Sequence, residues 1–539
     1  MKRLAAAAAI VAWAAAIGGL GSAASSRTAP RCHGRAPTIV GTEGDDLILG
    51  TPRNDVILAL EGADAVHAGF GHDTVCGGPG DDDVRGGLGF DALYGDEGND
   101  AVRGGADADS SSGGEGADRL AGGDGDDRLT GGRGLDEVEG GGGTDRASAS
   151  DLEAPVRIDL AMGVVAALGD SDVLVGIEGA EGSPLDDAID GDGGPNALLG
   201  GAGADTIAGG DGADVLEGGA DDDSLDGGGG RDTASFERAV TAIDASLEDG
   251  SATGDGGDSL VSIENLTGGF YGDRLRGSSG ANALSGGWGE DRLEGGGGDD
   301  RFVPGLSDDA VSGGPGRDWM LYAKASGPVD ATMRRAEVVG EGVDTYEGVE
   351  VISGSNWSGD VIRGDSRANW LFGGAGADRI YGRRGRDYLV GGPMRDLVVG
   401  GPGRDSCEDL MVNRLVGCED RTHGDGSAES VVTHPRHGST FRARAPDSLR
   451  GYVAGPRAPV EVALVRVTEN GCFAWTGTRW EGAACDARRW HRAEGRRWWS
   501  YGAPRRLPDA RYVVHARIRG SAEPSEAGRN EIHFRVLRR

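Results

Sequence analysis

Aspartate recurs at every ninth residue in the N-terminal part of the chain, from Asp46 to Asp145. If consecutive units stack, two carboxylates about 5 Å apart repel each other by roughly 3 kcal/mol at an effective dielectric near 20. A stack of this kind is stable only when a cation lies between its members. Carboxylate and backbone carbonyl oxygens suit a hard cation, and calcium accepts irregular oxygen shells more readily than magnesium does. The spacing therefore predicts a series of calcium sites.

The nine-residue unit around each aspartate indicates a tight turn followed by a short strand. In Gly77–Arg85 three glycines precede Asp82, and the apolar residue Val84 stands two places after it. Glycine allows the positive φ angles of a turn, and the two-residue period of a strand directs Val84 inward. One strand cannot bury its face alone, so units must stack, and two units of nine residues are expected to make one coil. The predicted inward residues of this first block are Ile48, Ile57, Val66, Val75, Val84, Leu93, Val102, Leu120, Leu129, Val138 and Ala147, with Ser111 as the exception.

Gly77–Arg85 and its repeats resemble the RTX, or haemolysin-type, calcium-binding nonapeptides. The resemblance implies an all-β fold, a right-handed parallel β-roll with several calcium ions held between successive turns. It also implies that the ligands are the repeat aspartates and turn carbonyls. The alternative, a disordered tract rich in glycine and aspartate, does not require an apolar residue at every ninth place. The implied ligand aspartates are Asp46, Asp55, Asp64, Asp73, Asp82, Asp91, Asp100, Asp118, Asp127, Asp136, Asp205, Asp214, Asp223, Asp291, Asp300, Asp378 and Asp387.

The nine-residue spacing returns in three further blocks, each preceded by an insert of about forty residues and each with asparagine at its second step. The last aspartates of the four blocks are 87, 86 and 87 residues apart, at Asp145, Asp232, Asp318 and Asp405. This preserved phase predicts one continuous solenoid in which the inserts form wider coils. The inserts could be structural coils only or could form a binding surface. Arginines in the last repeats are expected to weaken calcium binding there: Arg379, Arg383, Arg384 and Arg386.

Composition supports a repeat-built, cation-binding chain. Of its 539 residues 103 are glycine, and the formal net charge is -35. Glycine averages about 7 % of proteins, so the bias is strong. The acidity argues against nucleic acid as a partner of the repeats. The length allows two or three domains.

The first residues resemble an export signal. Met1–Arg3 is basic, residues 4–20 are apolar and alanine-rich, and Ser22–Ala24 offers small residues for cleavage. The apolar stretch is short for a membrane span, although a retained N-terminal anchor is the alternative. The predicted domains are a signal peptide at 1–24, a β-roll at 30–145, super-repeats at 146–405, a disulfide cap at 406–421, a linker at 422–430 and a β-sandwich at 431–539.

Six cysteines fall into three pairs that are close in sequence: Cys32 with Cys76, Cys407 with Cys418, and Cys472 with Cys485. An exported chain with an even cysteine count favours disulfides. Six cysteines allow fifteen pairings, so proximity alone suggests these three. No C-x-x-C sequence occurs, which argues against metal binding by the cysteines.

The composition changes after residue 431. From 431 to 539 there are 21 arginines, no lysine and 10 acidic residues, a net charge of +11 that leaves -46 for the rest of the chain. Several strand-like stretches in about 110 residues suggest a small antiparallel β-sandwich. The order of these stretches resembles bacterial Ig-like modules. The positive charge favours an anionic cell-envelope or extracellular surface as a partner, and docking of the arginines on the acidic roll is the alternative.

Two functional classes remain. The first is a secreted, non-catalytic calcium-binding protein with a structural or surface-interaction role. The second is a secreted effector or enzyme with its activity outside the repeats. The chain contains neither H-E-x-x-H nor G-x-S-x-G, and the tail is short for most enzyme folds. The first class is therefore the prediction, with no membrane span in the mature chain.

Overall fold

The structure is a computed structural model that describes residues 31–422 apart from 168–169, 409–413 and 419, and beyond them only the backbone strands between 429 and 537. The described residues form β-strands and one 3-10 helix, Met333–Arg335. They belong to two compact units. The first holds the described residues up to Ala147 together with Asp170–Ile177, and the second holds the remaining ones. The predicted signal peptide at 1–24 lies outside the described residues.

The first unit is a parallel β-solenoid of eighteen-residue coils. Val66 pairs with Val84, and Val84 pairs with Val102, so each strand lies beside the strand one coil later. The alternate strands form a second parallel sheet, in which Val75 pairs with Leu93. The all-β, parallel β-roll prediction is therefore confirmed. The strands up to the end of the first insert, without those between 149 and 169, are Ile39–Val40, Leu47–Leu49, Val56–Leu58, Ala65–Phe70, Thr74–Pro79, Asp83–Leu88, Ala92–Glu97, Ala101–Ala106, Ser110–Glu115, Arg119–Asp124, Arg128–Arg133, Glu137–Gly142, Arg146–Ser148 and Asp170–Val175.

The second unit continues with the same pairing rule in its solenoid part. Ile189 pairs with Ile207, and Leu371 pairs with Leu389, again eighteen residues apart. Its solenoid strands are Val156–Asp159, Val164–Ala167, Gly179–Glu181, Ala188–Asp190, Ala197–Ala202, Thr206–Ala208, Asp211–Gly212, Val215–Ala220, Ser224–Asp226, Gly229–Gly230, Thr233–Ser235, Asp244–Ser246, Ser251–Thr253, Gly257–Val261, Asn265–Thr267, Arg274–Arg276, Ala283–Trp288, Arg292–Glu294, Arg301–Leu306, Ala310–Ser312, Trp319–Leu321, Asp330–Thr332, Glu337–Val339, Val343–Glu347, Val351–Ser353, Val361–Arg363, Trp370–Phe372, Arg379–Tyr381, Tyr388–Val390, Leu397–Val399, Ser406–Glu408, Arg414–Val416 and Asp420–Thr422.

The core of each unit is a pair of apolar columns, one behind each sheet. The residue two places after the repeat aspartate is buried throughout; Val84, Leu93 and Val102 have no exposed surface. Parallel pairing at eighteen residues places each of these side chains on its counterpart in the next coil. The predicted inward register is thus correct.

Ser111 is the weak point of its column, and replacing it with valine should stabilise the first unit. Its side chain is buried between Leu93 and Leu129, and its hydroxyl has no hydrogen-bond partner. Ser111→Val should raise the free energy of unfolding by about 1–3 kcal/mol, because it removes an unsatisfied polar group and adds apolar burial. Denaturant unfolding with calcium present measures the change. Ser110→Val, at an exposed neighbour, is the control; an equal gain there would contradict the explanation.

The inserts lengthen one coil and add an antiparallel strand. Across them the pairing offset grows from 18 to 36 or 35 residues, as in Glu137 with Val173 and Ser224 with Ser259. In the second insert Ser251–Thr253 pairs antiparallel with the strands on both its sides. Glu337–Val339 does the same in the third insert. The antiparallel strand was not predicted, because alternation marks a strand without giving its direction.

Two of the three predicted cysteine pairs are disulfides in the structure, Cys32–Cys76 and Cys407–Cys418. Cys32 packs with Leu58 and Cys76 beside the first coils, so this bond attaches the N-terminal segment to the edge of the sheet. The third pair stays a prediction, since Cys485 lies outside the described residues. Most of the predicted linker lies outside them as well.

The tail contains two sheets of mainly antiparallel strands. Glu429–His434, Ser448–Ala454 and Trp498–Gly502 form one sheet. The long pair Val460–Thr468 with Ala510–Ile518 is central to the other. Two antiparallel sheets fit a sandwich, while the Ig-like arrangement stays a prediction. The remaining tail strands are Ser439–Arg442, Gly471–Trp475, Trp480–Ala483, His491–Arg492 and Glu531–Leu537. Within the part of the chain that the structure describes, no helix has the length and apolar character of a membrane span.

Candidate calcium sites

Within each compact unit the repeat aspartates form two ladders, one along each side of the solenoid coils. A rung is the residue at the aspartate position of one nine-residue repeat. Successive aspartates of a ladder are tied together by a hydrogen bond through one carboxylate oxygen. The backbone N–H of Asp64 donates to Oδ1 of Asp82 at 2.7 Å, and that of Asp82 donates to Oδ1 of Asp100 at 2.7 Å. Coil stacking therefore fixes the orientation of the carboxylates that accept such a bond.

The second carboxylate oxygen, Oδ2, is buried in most rungs and receives no hydrogen bond. Asp82 is 3 % exposed and Asp300 is fully buried. A buried polar atom without a partner costs roughly 1–3 kcal/mol, and more when it is charged. So regular a set of unsatisfied oxygens is suited to a positively charged partner. The rungs with this property include Asp64, Asp73, Asp82, Asp91, Asp100, Asp109, Asp118, Asp127, Asp205, Asp214, Asp223, Asp232, Asp291, Asp300, Asp309, Asp318, Asp378 and Asp387.

The first glycine of the Gly77–Arg85 unit makes room for this oxygen. A Cβ at Gly77 would lie 2.7 Å from the carbonyl oxygen of Gly95 and closer still to Oδ2 of Asp82. Gly77 does not have a positive φ, whereas the second glycine, Gly78, has a φ of 104°. The two glycines are therefore required for different reasons: Gly77 for close approach and Gly78 for the turn.

Burial shifts the pKa of the ladder carboxyls strongly upward. Desolvation, reinforced by carboxylates in adjacent coils, raises the pKa of Asp82 to about 7 and that of Asp109 and Asp291 to about 8. The N–H from the preceding coil acts in the opposite direction but does not compensate. Without a bound cation the ladder carboxyls thus tend to be protonated, because closely spaced negative charges are costly in a buried environment.

A hard divalent cation fits this donor set. Among the described residues no three acidic, histidine or cysteine side chains converge as a metal cluster. Carboxylate Oδ2 atoms and backbone carbonyls such as that of Gly95 approach the same space. This mixture of charged and neutral oxygens is the chemistry that calcium accepts. The residues that would hold it are the rungs with an unsatisfied Oδ2.

Comparison with known families agrees with this donor set. The family described as "RTX calcium-binding nonapeptide repeat (4 copies)" matches residues 40–75, 77–110, 112–147, 181–216, 199–234, 267–302 and 355–389. This chain is an RTX repeat protein. Its repeats are calcium-binding repeats, and the resemblance inferred from Gly77–Arg85 is confirmed. No curated protein matches the chain significantly.

The structure divides the predicted RTX ligands into two environments. Fourteen of the seventeen have a buried Oδ2 without a donor, as given above. Asp46 and Asp55 differ, because their Oδ2 atoms accept the backbone N–H of Thr42 and Thr51, each at 2.6 Å. Asp136 continues its ladder by donating its N–H to Oδ1 of Asp172 at 3.0 Å.

Several ladder residues are absent from the ligand set predicted from the sequence. Asp109, Asp232, Asp309 and Asp318 obey the nine-residue spacing and have the same unsatisfied oxygen, so the spacing alone could have found them. Acidic residues of the inserts also take rungs. The N–H of Asp223 donates to Asp258 at 3.2 Å, and that of Asp232 donates to Glu264 at 2.9 Å. The sequence pattern that could have identified these insert rungs is an acidic residue two places before a buried apolar one, as in Asp258 with Leu260.

The raised pKa values predict that the calcium-free RTX roll gains stability as pH falls. A carboxyl whose folded pKa lies above its unfolded value stabilises the fold fully below the unfolded pKa, and that stability is lost as pH rises through the folded pKa. For Asp82, Asp100 and Asp291 this loss falls between about pH 4 and about pH 8. Strand signal in circular dichroism of calcium-free protein should therefore increase from pH 8 to pH 5, within the window set by those values.

A salt control separates burial from long-range repulsion. At about 1 M sodium chloride, where the screening length is about 3 Å, the same trend should persist because desolvation is its main cause. Calcium affinity should decrease as pH falls from 8 to 5, since protons and calcium compete for the same oxygens. A calcium-free roll that becomes more stable as pH rises would contradict this account.

Proposed function

We propose that this RTX protein is exported, binds several calcium ions in its ladders, and acts as a non-catalytic structural protein outside the cell. The observation that carries the proposal is the repeated, buried Oδ2 without a donor. Such carboxylates are tolerable only when protonated or bound to cations. Extracellular calcium modules work at about 10⁻⁴–10⁻³ M, a concentration range that suits a protein folded after export.

Export is supported by two further features. The first residues, Met1–Arg3 with the alanine-rich stretch after them, have the organisation of a signal peptide. The disulfides Cys32–Cys76 and Cys407–Cys418 suit an oxidising environment. The non-catalytic role is supported by the burial of the ladder carboxylates between coils, where a substrate has no access to them.

The basic tail is the proposed contact with the surroundings. Its net charge of +11, beside -46 for the rest of the chain, would attract an anionic cell-envelope polymer or extracellular surface. Retention of the full-length protein on such material should decrease as salt is raised. Retention that does not change with salt concentration, or no retention at all, would contradict this role of the tail.

Native mass spectrometry of the full-length protein tests the central claim. The spectrum should show several bound calcium ions that disappear with chelator. A spectrum without calcium adducts at millimolar calcium would refute the proposal. Hydrolase activity that copurifies with the protein and survives chelation would instead favour the secreted-enzyme alternative.

A further inference from the structure

Some rungs of this chain complete their own hydrogen bonding. The N–H of Ser183 donates to Oδ2 of Asp187 at 2.5 Å, and the N–H of Gly269 donates to Oδ2 of Asp273 at 2.7 Å. In each case the donor is the fourth residue before the rung; Ser355 and Asp360 make the same contact at 2.6 Å with a spacing of five. We call these self-capped rungs, and those with an unsatisfied Oδ2 open rungs.

The backbone angle of that fourth preceding residue separates the two classes. Before the open rungs it has positive φ, for example 104° at Gly78, 124° at Gly201 and 101° at Gly314. Before the self-capped rungs Asp46, Asp55, Asp187 and Asp273 it does not. A positive φ reorients the peptide, and the N–H no longer reaches the carboxylate of its own unit.

Conformation, and not glycine itself, is what correlates with an open rung. Leu60, Asp96 and Arg383 take φ values of 86°, 78° and 72° although they carry a Cβ. Each precedes an open rung, Asp64, Asp100 or Asp387. A side chain in this region costs about 1–3 kcal/mol and persists only where the surroundings impose it.

Asparagine gives an independent indication. It replaces aspartate at Asn196, Asn282 and Asn369, and in all three the carbonyl Oδ1 accepts the N–H of the fourth preceding residue, at 2.8, 2.7 and 2.9 Å. The side-chain N–H of Asn196 and Asn282 donates to the carbonyl of Glu178 and Glu264. These rungs are satisfied without charge, and none of the open rungs named above is asparagine.

We infer that φ at the fourth residue before each rung decides whether that rung binds calcium. The open rungs are ligands, and the self-capped rungs are structural residues that bind no cation. Each later block then begins with two calcium-free rungs, such as Asp187 and Asn196, before its calcium-binding ones. Asp46 and Asp55 leave the ligand set predicted from the sequence. The inference rests on the proposed calcium binding and specifies where it occurs.

Substitutions that change charge without changing size test the assignment in the full-length protein. Asp82→Asn and Asp205→Asn, in open rungs, should each lose at least one calcium ion in native mass spectra. Asp187→Asn should keep the wild-type number of ions. Asn196→Asp restores the aspartate of the repeat and should nevertheless add none. Circular dichroism with calcium present checks that each variant has the wild-type strand signal.

The results of these measurements separate the assignment of individual rungs from calcium binding as such. Loss of ions from Asp187→Asn, or an additional ion in Asn196→Asp, overturns the assignment while leaving calcium binding intact. Full retention of ions in both open-rung variants overturns it as well. If an open-rung variant does not fold, the numbers of calcium ions bound by Asp187→Asn and Asn196→Asp still test the assignment. A wild-type protein that binds no calcium refutes the proposed function and, with it, the assignment.

Discussion

Removal of calcium is expected to abolish most of the strand signal of the repeat region, residues 31–422. At least eighteen buried oxygens would then be left without a partner, at a cost of roughly 1–3 kcal/mol each or more when charged. The glycine-rich chain must also lose unusually large backbone entropy on folding. This sum exceeds the net stability of about 5–15 kcal/mol that a folded domain has. Circular dichroism of the full-length protein in chelator measures the effect, and the remaining signal reports the tail.

Restoring near-millimolar calcium should recover the strand signal, and the same concentration of magnesium is the matched control. Magnesium keeps its waters and demands octahedral geometry, so it should recover little. A spectrum in chelator equal to that in calcium would mean that the apolar columns alone hold the coils together. The buried carboxyls would then have to be protonated at neutral pH.

Val84→Asp is expected to be strongly destabilising for the first unit. Val84 is fully buried, and it pairs with Val66 and Val102 in the adjacent coils. A carboxylate there has no donor and no cation. An uncompensated buried charge costs about 3–5 kcal/mol. Denaturant unfolding with saturating calcium should show a loss of this size.

The control is Leu47→Asp, on a residue of the same unit that is 69 % exposed. It introduces the same charge on the outside of a strand and should change the unfolding free energy by no more than about 0.5 kcal/mol. Equal losses in the two variants would mean that added negative charge, and not burial, determines the effect. Wild-type stability in Val84→Asp would show that the inward register is wrong.

The periodicity of the sequence was sufficient to predict the roll, its inward columns and most rungs. Residues such as Val84 and Asp82 are fixed by one local pattern that recurs at a spacing of nine residues, and stacking of the coils carries that pattern into three dimensions. The requirement for glycine at position 77 was not predictable, because the space for a Cβ there is taken by Asp82 and by a carbonyl oxygen in the next coil. The spacing of nine residues does not contain this contact.

The missed features share a physical cause. Whether Asp55 or Asp187 is self-capped depends on one φ angle four residues earlier, and a non-glycine residue can take either value, as Thr51 and Leu60 do. Glu264 takes a rung across an insert, where the offset is no longer eighteen residues. In both cases the decisive geometry is set by packing between coils, which local sequence does not determine.

In the second unit the ladders are also divided into shorter segments by the insert coils. At their far ends Val156, Ile243 and Val329 occupy the place of a rung, and their N–H groups donate to Asp187, Asp273 and Asp360. Neighbouring ions influence one another only within an unbroken segment, as in a one-dimensional chain with nearest-neighbour coupling. One ladder of the first block runs unbroken from Asp64 to Asp136, whereas its later counterparts hold pairs such as Asp205 and Asp223. Calcium should consequently fill the first block over a narrow concentration range and the later blocks over broader ones, a graded response from a single repeated motif.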